Sequence, residues 1–177
     1  MSQPFRILFM GTSDFAVPAL QALHQNQYEI ALVVTQPDRP AGRGLELKAA
    51  PVKKTALDLG LEIYQPEKIK SPEAVEKLQA LKPDVTVVVA YGQILPPSVL
   101  QVAKTACLNI HGSILPKYRG AAPIHYAVMA GEKETGVTIM YMNEKMDEGD
   151  ILLIKKTPIG PEETTGEVHD RLAVLGA

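Results

Sequence analysis

One cysteine, Cys107, occurs in 177 residues, so the chain can close no internal disulfide, and that usage fits a reducing compartment. No apolar run approaches the length a bilayer requires. The opening MSQPFRILFMG lacks a cleavage-site pattern, so a cytoplasmic protein with no membrane partner is expected. A strong excess of charge is also missing: Lys and Arg number 18, Asp and Glu 20, and the formal net charge is −2. A nucleic-acid partner would therefore have to be met by a local patch. The turn after the first apolar run is MGTSD, with one glycine in place of GxGxxG, which argues against a dinucleotide cofactor. A P-loop pattern, CxxC and HxxxH are all absent, so neither a P-loop nor a metal centre is expected. Internal repeats and low-complexity stretches are lacking too. What remains is ordinary for one globular domain, 46% apolar and 21% charged.

Strand and helix signals alternate along the chain. The run 5–10 (FRILFM) is wholly apolar, as in a strand covered on both faces. Ser13 is placed to cap a helix bearing Phe15, Ala19, Leu20 and Leu23 on one side, with Pro18 near its start. Further strands are expected at 29–36, 62–66, 84–91, 106–110, 136–143 and 150–159. Helices are expected at 51–60, from Ser71-Pro72-Glu73 to Lys82-Pro83, around 98–103 and at 121–131. The link between the last two strands is too short for a parallel crossover, so that pair should be antiparallel. The fold class predicted is α/β: a doubly wound, mostly parallel sheet with an antiparallel edge. Thr164 to Glu167 has capping-box spacing, and the stripe Val168, Leu172, Leu175 follows. The chain stops within that stripe, so it is expected to be the N-terminal part of something longer.

The chemistry concentrates in 109–150. Asn109 and His111 are two apart at the end of an apolar run, so in a strand they share a face. Asp147 lies in a later acidic loop. Together they offer an amide for a developing oxyanion, a titratable imidazole and a carboxylate to set its charge. Singly, each has an ordinary reading: a structural His, an Asn satisfying backbone, a turn-forming Asp. The loop 35–44 (TQPDRPAGRG), with Arg39, Arg43, Lys48, Lys53 and Lys54 in or near it, is basic and has glycine freedom, and suits phosphate or RNA backbone as well as plain solvation. His24 and His169 are placed on helix surfaces and assigned no role. His125 is placed in a helix beside the site.

MGTSDFAVPAL, TQPDRPAGRG, PVK, VVVAYGQILP, NIHGSILPKYRGAAPI, TGVTIM and MDEGDIL, in this order, resemble the methionyl-tRNA formyltransferase family over essentially the whole chain. HGSILPKYRG with MDEGD is similar to the wider group of formyltetrahydrofolate-dependent enzymes, while QPDRPAGRG and GAAPI narrow the resemblance to the tRNA enzyme. It implies a Rossmann-like formyltransferase domain spanning 1–177 and a C-terminal β-barrel that these residues lack. It also implies formyl transfer from 10-formyltetrahydrofolate to the amino group of initiator methionyl-tRNA, by a monomer without metal.

By the resemblance, Asn109, His111 and Asp147 are the catalytic trio. The folate would be held by Ala90, Tyr91, Gly92, Gln93, Ile94, Leu95, Ser113, Leu115, Pro116 and Met146, and the tRNA by Arg39, Arg43 and Lys48. The sharp turn after His111, together with the resemblance, implies a cis Leu115–Pro116 bond. The chain departs from the family at Leu45-Glu46-Leu47-Lys48, where lysines are usual, at Ser13 and at Glu148. Three alternatives stay open. The same site could serve water or another amine; a metal-dependent hydrolase could use His111, His125 and Asp147; or the chain could bind folate or RNA without turnover.

Overall fold

The structure is a computed structural model that describes residues 5–41 and 46–177. Nine strands and six α-helices alternate as follows: β1 (Arg6–Gly11), α1 (Val17–Gln25), β2 (Glu29–Val34), β3 (Arg39–Ala41), β4 (Glu46–Lys48), α2 (Pro51–Asp58), β5 (Ile63–Tyr64), α3 (Pro72–Leu81), β6 (Val85–Val89), α4 (Pro97–Leu100), β7 (Ala106–His111), α5 (Pro123–Met129), β8 (Glu134–Tyr141), β9 (Ile151–Pro158) and α6 (Thr165–Leu175). Seven strands form one sheet in the order β5-β2-β1-β6-β7-β8-β9. The first five of these run parallel. β8 is antiparallel to both neighbours, so the expected antiparallel edge is present and includes the β7–β8 pair as well as β8–β9.

Side-chain alternation explains why the strands read as unbroken apolar runs. Phe9 enters one core layer with Leu20, Val52, Ala56, Val168 and Leu172 of the helices on that side. Leu8 and Met10 enter the other layer with Leu78 of α3 and Val99 of α4. Both faces are covered, as a parallel sheet requires. β2 and β6 flank β1, so the chain reverses its winding there, and the carboxyl ends of β1 and β6 open a crevice of the kind that binds ligands in such sheets.

Helix ends follow the sequence signals with one exception. Ser71 Oγ accepts the Ala74 amide at 3.3 Å. Thr164 and Glu167 form the full capping box. Ser13, however, makes no side-chain cap: the chain first turns through a 3-10 helix, Asp14–Ala16, and α1 begins at Val17. A second departure is the hairpin β3–β4, which stands where an open loop was expected and sets Arg39 opposite Lys48. No helix of the described residues is long and apolar enough to cross a membrane.

Candidate active site

β6 and β7 pair in register, Val88 opposite Asn109, and β7 pairs with β8, Asn109 opposite Met140 and His111 opposite Thr138. Alternation sends Ile110 towards the first core layer and leaves Asn109 and His111 on the other face. Both line a cleft of about 650 Å³ at the carboxyl ends of β1, β6 and β7. The wall also includes Phe15, Ala90, Gly92, Ile94, Gly120, Ile124, Met146 and Asp147. A recess of about 240 Å³, lined by Leu95, Met140, Met142 and residues 143–147, shares Gln93, Ile94, Met146 and Asp147 with it.

The loops that frame the cleft are tied to one another. Thr12 Oγ1 donates to the Tyr91 carbonyl at 2.7 Å and accepts the Gln36 amide at 3.2 Å, which joins the ends of β1, β2 and β6. Gln93 Oε1 accepts the Ile69 amide at 2.9 Å, so this side chain braces its own loop as well as lining the cleft. Among the described residues six non-glycine residues have left-handed backbone, and four of them, Ala90 (φ 45), Tyr118 (φ 57), Ala122 (φ 56) and Asp147 (φ 51), sit in these loops. Such conformations cost free energy and persist where the surroundings impose them, typically at functional sites.

His111 is 6% exposed, and its two nitrogens meet different partners. Nε2 is 2.9 Å from the Tyr118 carbonyl. A carbonyl only accepts, so Nε2 carries a hydrogen. Nδ1 lies 3.6 Å from Asp147 Oδ2, a distance that gives an ion pair when the imidazole is protonated. Nδ1 is thus the nitrogen that can take or give a proton. Asp147 Oδ2 also accepts the Gly120 amide at 2.7 Å. Arg119 and Glu148, 3.1 Å apart on the surface, link the same two loops.

The remaining sequence-derived residues divide. Ala90, Tyr91, Gly92, Gln93, Ile94 and Met146 line the cleft and Leu95 lines the recess. The Tyr91 side chain, however, points into the second core layer, and burial pushes its hydroxyl well above the ordinary tyrosine range, with no hydrogen-bond partner. Ser113, Leu115 and Pro116 line neither cavity. Ser113 is buried behind His111 and donates from Oγ to the Lys117 carbonyl at 2.7 Å. The Leu115 amide donates to Thr138 Oγ1 at 3.1 Å, and Pro116 is exposed. The Leu115–Pro116 bond is cis, as expected. Arg39 and Lys48 project from the β3–β4 hairpin, while Lys53 is paired with Asp38 at 2.5 Å. Arg43 lies outside the described residues.

Cys107 is a core residue whose thiol is pushed up to about 12 by burial. Two residues that sequence reasoning passed over matter here. His169 of α6 lines the cleft rather than a bare helix surface, packed on Phe15 with ring centres 5.4 Å apart. Gly120, whose backbone is left-handed at φ 81 as glycine readily allows, supplies the amide that holds Asp147. Among the described residues no three His, Cys, Asp or Glu side chains are grouped to hold a metal ion, so His125, although it lines the cleft, has no such set to join.

A family model described as formyl transferase matches residues 5–177. The chain is 57% identical over 176 residues to a methionyl-tRNA formyltransferase of Hydrogenovibrio crunogenus, covering 99% of this chain and 56% of that protein. It is 57% identical over 172 residues to a protein of the same name from Moorella thermoacetica, covering 97% and 55%. The chain spans about half the length of the curated relatives it matches. Among solved structures, a phosphoribosylglycinamide formyltransferase from Bacillus halodurans superposes with a TM-score of 0.80 at 24% identity, covering 97% of this chain and 89% of that one. A sugar N-formyltransferase from Shewanella superposes with 0.70 at 23%, covering 97% and 65%. At these identities the solved structures share the fold.

Proposed function

This chain belongs to the formyl transferase family, and we propose that it carries the catalytic site of an enzyme that moves a formyl group from 10-formyltetrahydrofolate to the amino group of initiator methionyl-tRNA. The observation that carries the reading is the His111 Nδ1–Asp147 Oδ2 pair at 3.6 Å, set in a cleft with Asn109 on the same strand. Support for the acceptor comes from the relatives named methionyl-tRNA formyltransferase. The β3–β4 hairpin, which presents Arg39 and Lys48 side by side, adds a place for RNA phosphates.

The cleft and its recess suit a folate. Ala90, Gly92, Ile94, Leu95 and Met146 offer apolar surface and loop backbone, Gln93 a polar edge, and Met140 and Met142 an adaptable floor. Ser113, Leu115 and Pro116 contribute in this reading by shaping the turn behind His111.

The reaction is a proton-balanced exchange of one C–N bond for another. The neutral amine attacks the formyl carbon, a C–N bond forms, and the carbonyl electron pair moves onto oxygen. The Asn109 amide and the Nδ1–H of protonated His111 are the donors placed to meet that charge. At 3.6 Å, Nδ1 is not committed to Asp147 by a hydrogen bond, which leaves its hydrogen for the oxyanion. The charge collapses, the bond to the folate nitrogen breaks, and that nitrogen gains the proton the amine loses. Asp147, anchored through Oδ2 to Gly120, has Oδ1 left to carry that proton, directly or through a water.

The test is an acceptor screen on the protein as its gene encodes it. The formyl donor is offered with initiator methionyl-tRNA, a phosphoribosylated amine, an amino sugar, or water alone. Formyl transfer to the tRNA well above the others is expected. Release of formate at the same rate without any amine would make the protein a hydrolase and overturn the reading.

A further inference from the structure

The imidazole of His111 is oriented by a carbonyl, and that carbonyl is itself held from outside the cleft. Tyr118 O accepts from His111 Nε2 at 2.9 Å, and Tyr118 has left-handed backbone at φ 57. A bulky residue adopts that conformation only when its neighbours impose it. Two contacts do so. Behind the backbone, buried Ser113 Oγ donates to the Lys117 carbonyl at 2.7 Å and lies 3.5 Å from the Tyr118 carbonyl. At the end of the ring, the Tyr118 hydroxyl donates to Glu132 Oε1 at 2.8 Å, and the same oxygen accepts Lys117 Nζ at 3.0 Å.

Glu132 is fixed in turn, because its amide donates to the Ala127 carbonyl at the end of α5, just after Gly131 with φ 67. It lines a separate pocket of about 180 Å³ with Ile114, Glu134 and Lys156, not the cleft. No part of that pocket's charge is spare: Lys117 pairs with Glu132, and Lys156 with Glu134 at 2.9 Å.

We propose that Glu132, acting through the Tyr118 hydroxyl, is a positioning residue that holds the Tyr118 carbonyl against His111 Nε2–H and so keeps Nδ1 as the proton-handling nitrogen. The consequence is chemical as well as structural. If the Tyr118 carbonyl moves away, the ring loses the contact that orients it and the neutral imidazole can place its hydrogen on Nδ1 or Nε2, so Nδ1 is no longer held towards Asp147 as the nitrogen that gains the second proton. The contact with Tyr118, and then that with Lys117, holds the Glu132 carboxyl below the usual carboxylate range, so it remains the ionised acceptor at neutral pH.

The catalytic part of this inference rests on the formyl-transfer reading, whereas the tautomer does not. Two measurements separate them, both on the protein as its gene encodes it. The first is the ¹⁵N–¹H correlation spectrum of the His111 ring in the wild type and in Tyr118→Phe, Glu132→Ala and Glu132→Gln. The wild type is expected to show the Nε2–H tautomer. The first two variants should show a mixture, and Glu132→Gln, whose amide oxygen still accepts the Tyr118 hydroxyl, should keep the wild-type pattern. The second is steady-state formyl transfer. A small remote displacement of a catalytic group costs about 10- to 100-fold, so kcat should fall by that much in Tyr118→Phe and Glu132→Ala with KM within about twofold. The double variant should lose no more than the worse single, since both changes cut one link. Glu132→Gln should restore activity.

An unchanged His111 spectrum in folded Tyr118→Phe and Glu132→Ala overturns the proposal, whatever the enzyme transfers. A wild type that transfers no formyl group, yet shows the expected tautomer shift, overturns the functional reading and leaves the positioning role standing.

Discussion

Asp147 Oδ2 and His111 Nδ1 stand 3.6 Å apart, joined across a gap in sequence by the carboxyl end of β7 and the loop before β9. That spacing is longer than a hydrogen bond, so the carboxylate acts on the imidazole through charge rather than by fixing its ring. Asp147→Asn keeps the side chain's shape and an oxygen for the Gly120 amide but removes the charge. General acid–base and charge effects of this kind are worth about 10²–10⁴ in rate. The variant should lose about that factor in kcat while its thermal midpoint moves by only a few degrees. Kinetics beside a melt check this, and near-normal turnover would remove Asp147 from the mechanism.

Asn109 should act on the transition state alone. It lines the cleft, and in the proposed reaction the charge it would meet exists only after the amine has attacked. Asn109→Ala is therefore expected to lower kcat by about 10²–10³ and leave folate affinity within about twofold. Folate binding followed by fluorescence, beside single-turnover rates, separates the two effects.

Much of this site is visible in residue order, and the rest is hidden for identifiable reasons. Strands covered on both faces show as apolar runs, so β1, β6 and β7 are legible, and a period of two places Asn109 and His111 together. The capping box of α6 is a local code and reads directly. The contacts that hold the trio are different. They run through backbone atoms, the Tyr118 carbonyl and the Gly120 amide, which every residue type carries. Tyr91 looks like a ligand residue from its loop, yet left-handed Ala90 next to it accompanies a ring packed in the core. The β3–β4 hairpin is hidden because Arg39–Ala41 and Glu46–Lys48, three residues each, are too short to show the alternation that marks a half-buried ribbon. His169 reads as surface because helix periodicity says nothing of Phe15, a distant residue on which it packs.

The loop that carries Asp147 depends on Gly149 lacking a side chain. A Cβ there would collide with the Tyr141 carbonyl oxygen, which is backbone of β8, where Tyr141 pairs with Leu108 of β7. Gly149→Ala must therefore displace the loop. Overpacking of this kind costs about 1–3 kcal/mol, and here the shift should carry Asp147 with it. Chemical denaturation and kinetics should show stability and kcat falling together. Activity retained at reduced stability would mean that the loop moves without Asp147.

The proposed RNA contact at the β3–β4 hairpin predicts a salt signature. Each phosphate neutralised contributes about 0.7–0.9 to the slope of log K against log salt. Arg39 and Lys48, both exposed and directly opposite one another, should contribute separately. Arg39→Ala and Lys48→Ala should each flatten the slope for initiator tRNA by about one contact and leave folate binding unchanged. An unaltered slope in both variants would place the RNA elsewhere.

The Glu163–Arg171 pair should give the fold a distinct acid sensitivity. Arg171 on α6 grips Glu163 with both Nη1 and Nη2, the latter at 2.8 Å, and also donates to the Pro158 carbonyl at 2.7 Å and to Thr157 Oγ1 at 3.0 Å. One guanidinium thus fastens the end of β9 to the start of α6. The Arg171 contact, and then the Gly160 amide, lowers the Glu163 carboxyl from 4.5 to about 2. The folded state holds this proton more weakly than the unfolded chain does, so stability from the ionised carboxylate is fully present above about 4.5 and is lost as pH falls from there towards 2. Other lowered carboxylates, Asp38, Asp84 and Glu132, do not feel Glu163 and cancel in a difference, whereas Glu167, which the Glu163 charge raises, is lowered further in the variant and adds a smaller change of its own. Melts of the wild type and Glu163→Gln at a series of pH values should therefore show the wild type more stable at neutral pH. The gap should hold down to about pH 5, close progressively below 4.5, and nearly vanish close to 2. A gap that stayed constant down to that limit would mean that the packing of the side chain, not its charge, fastens β9 to α6.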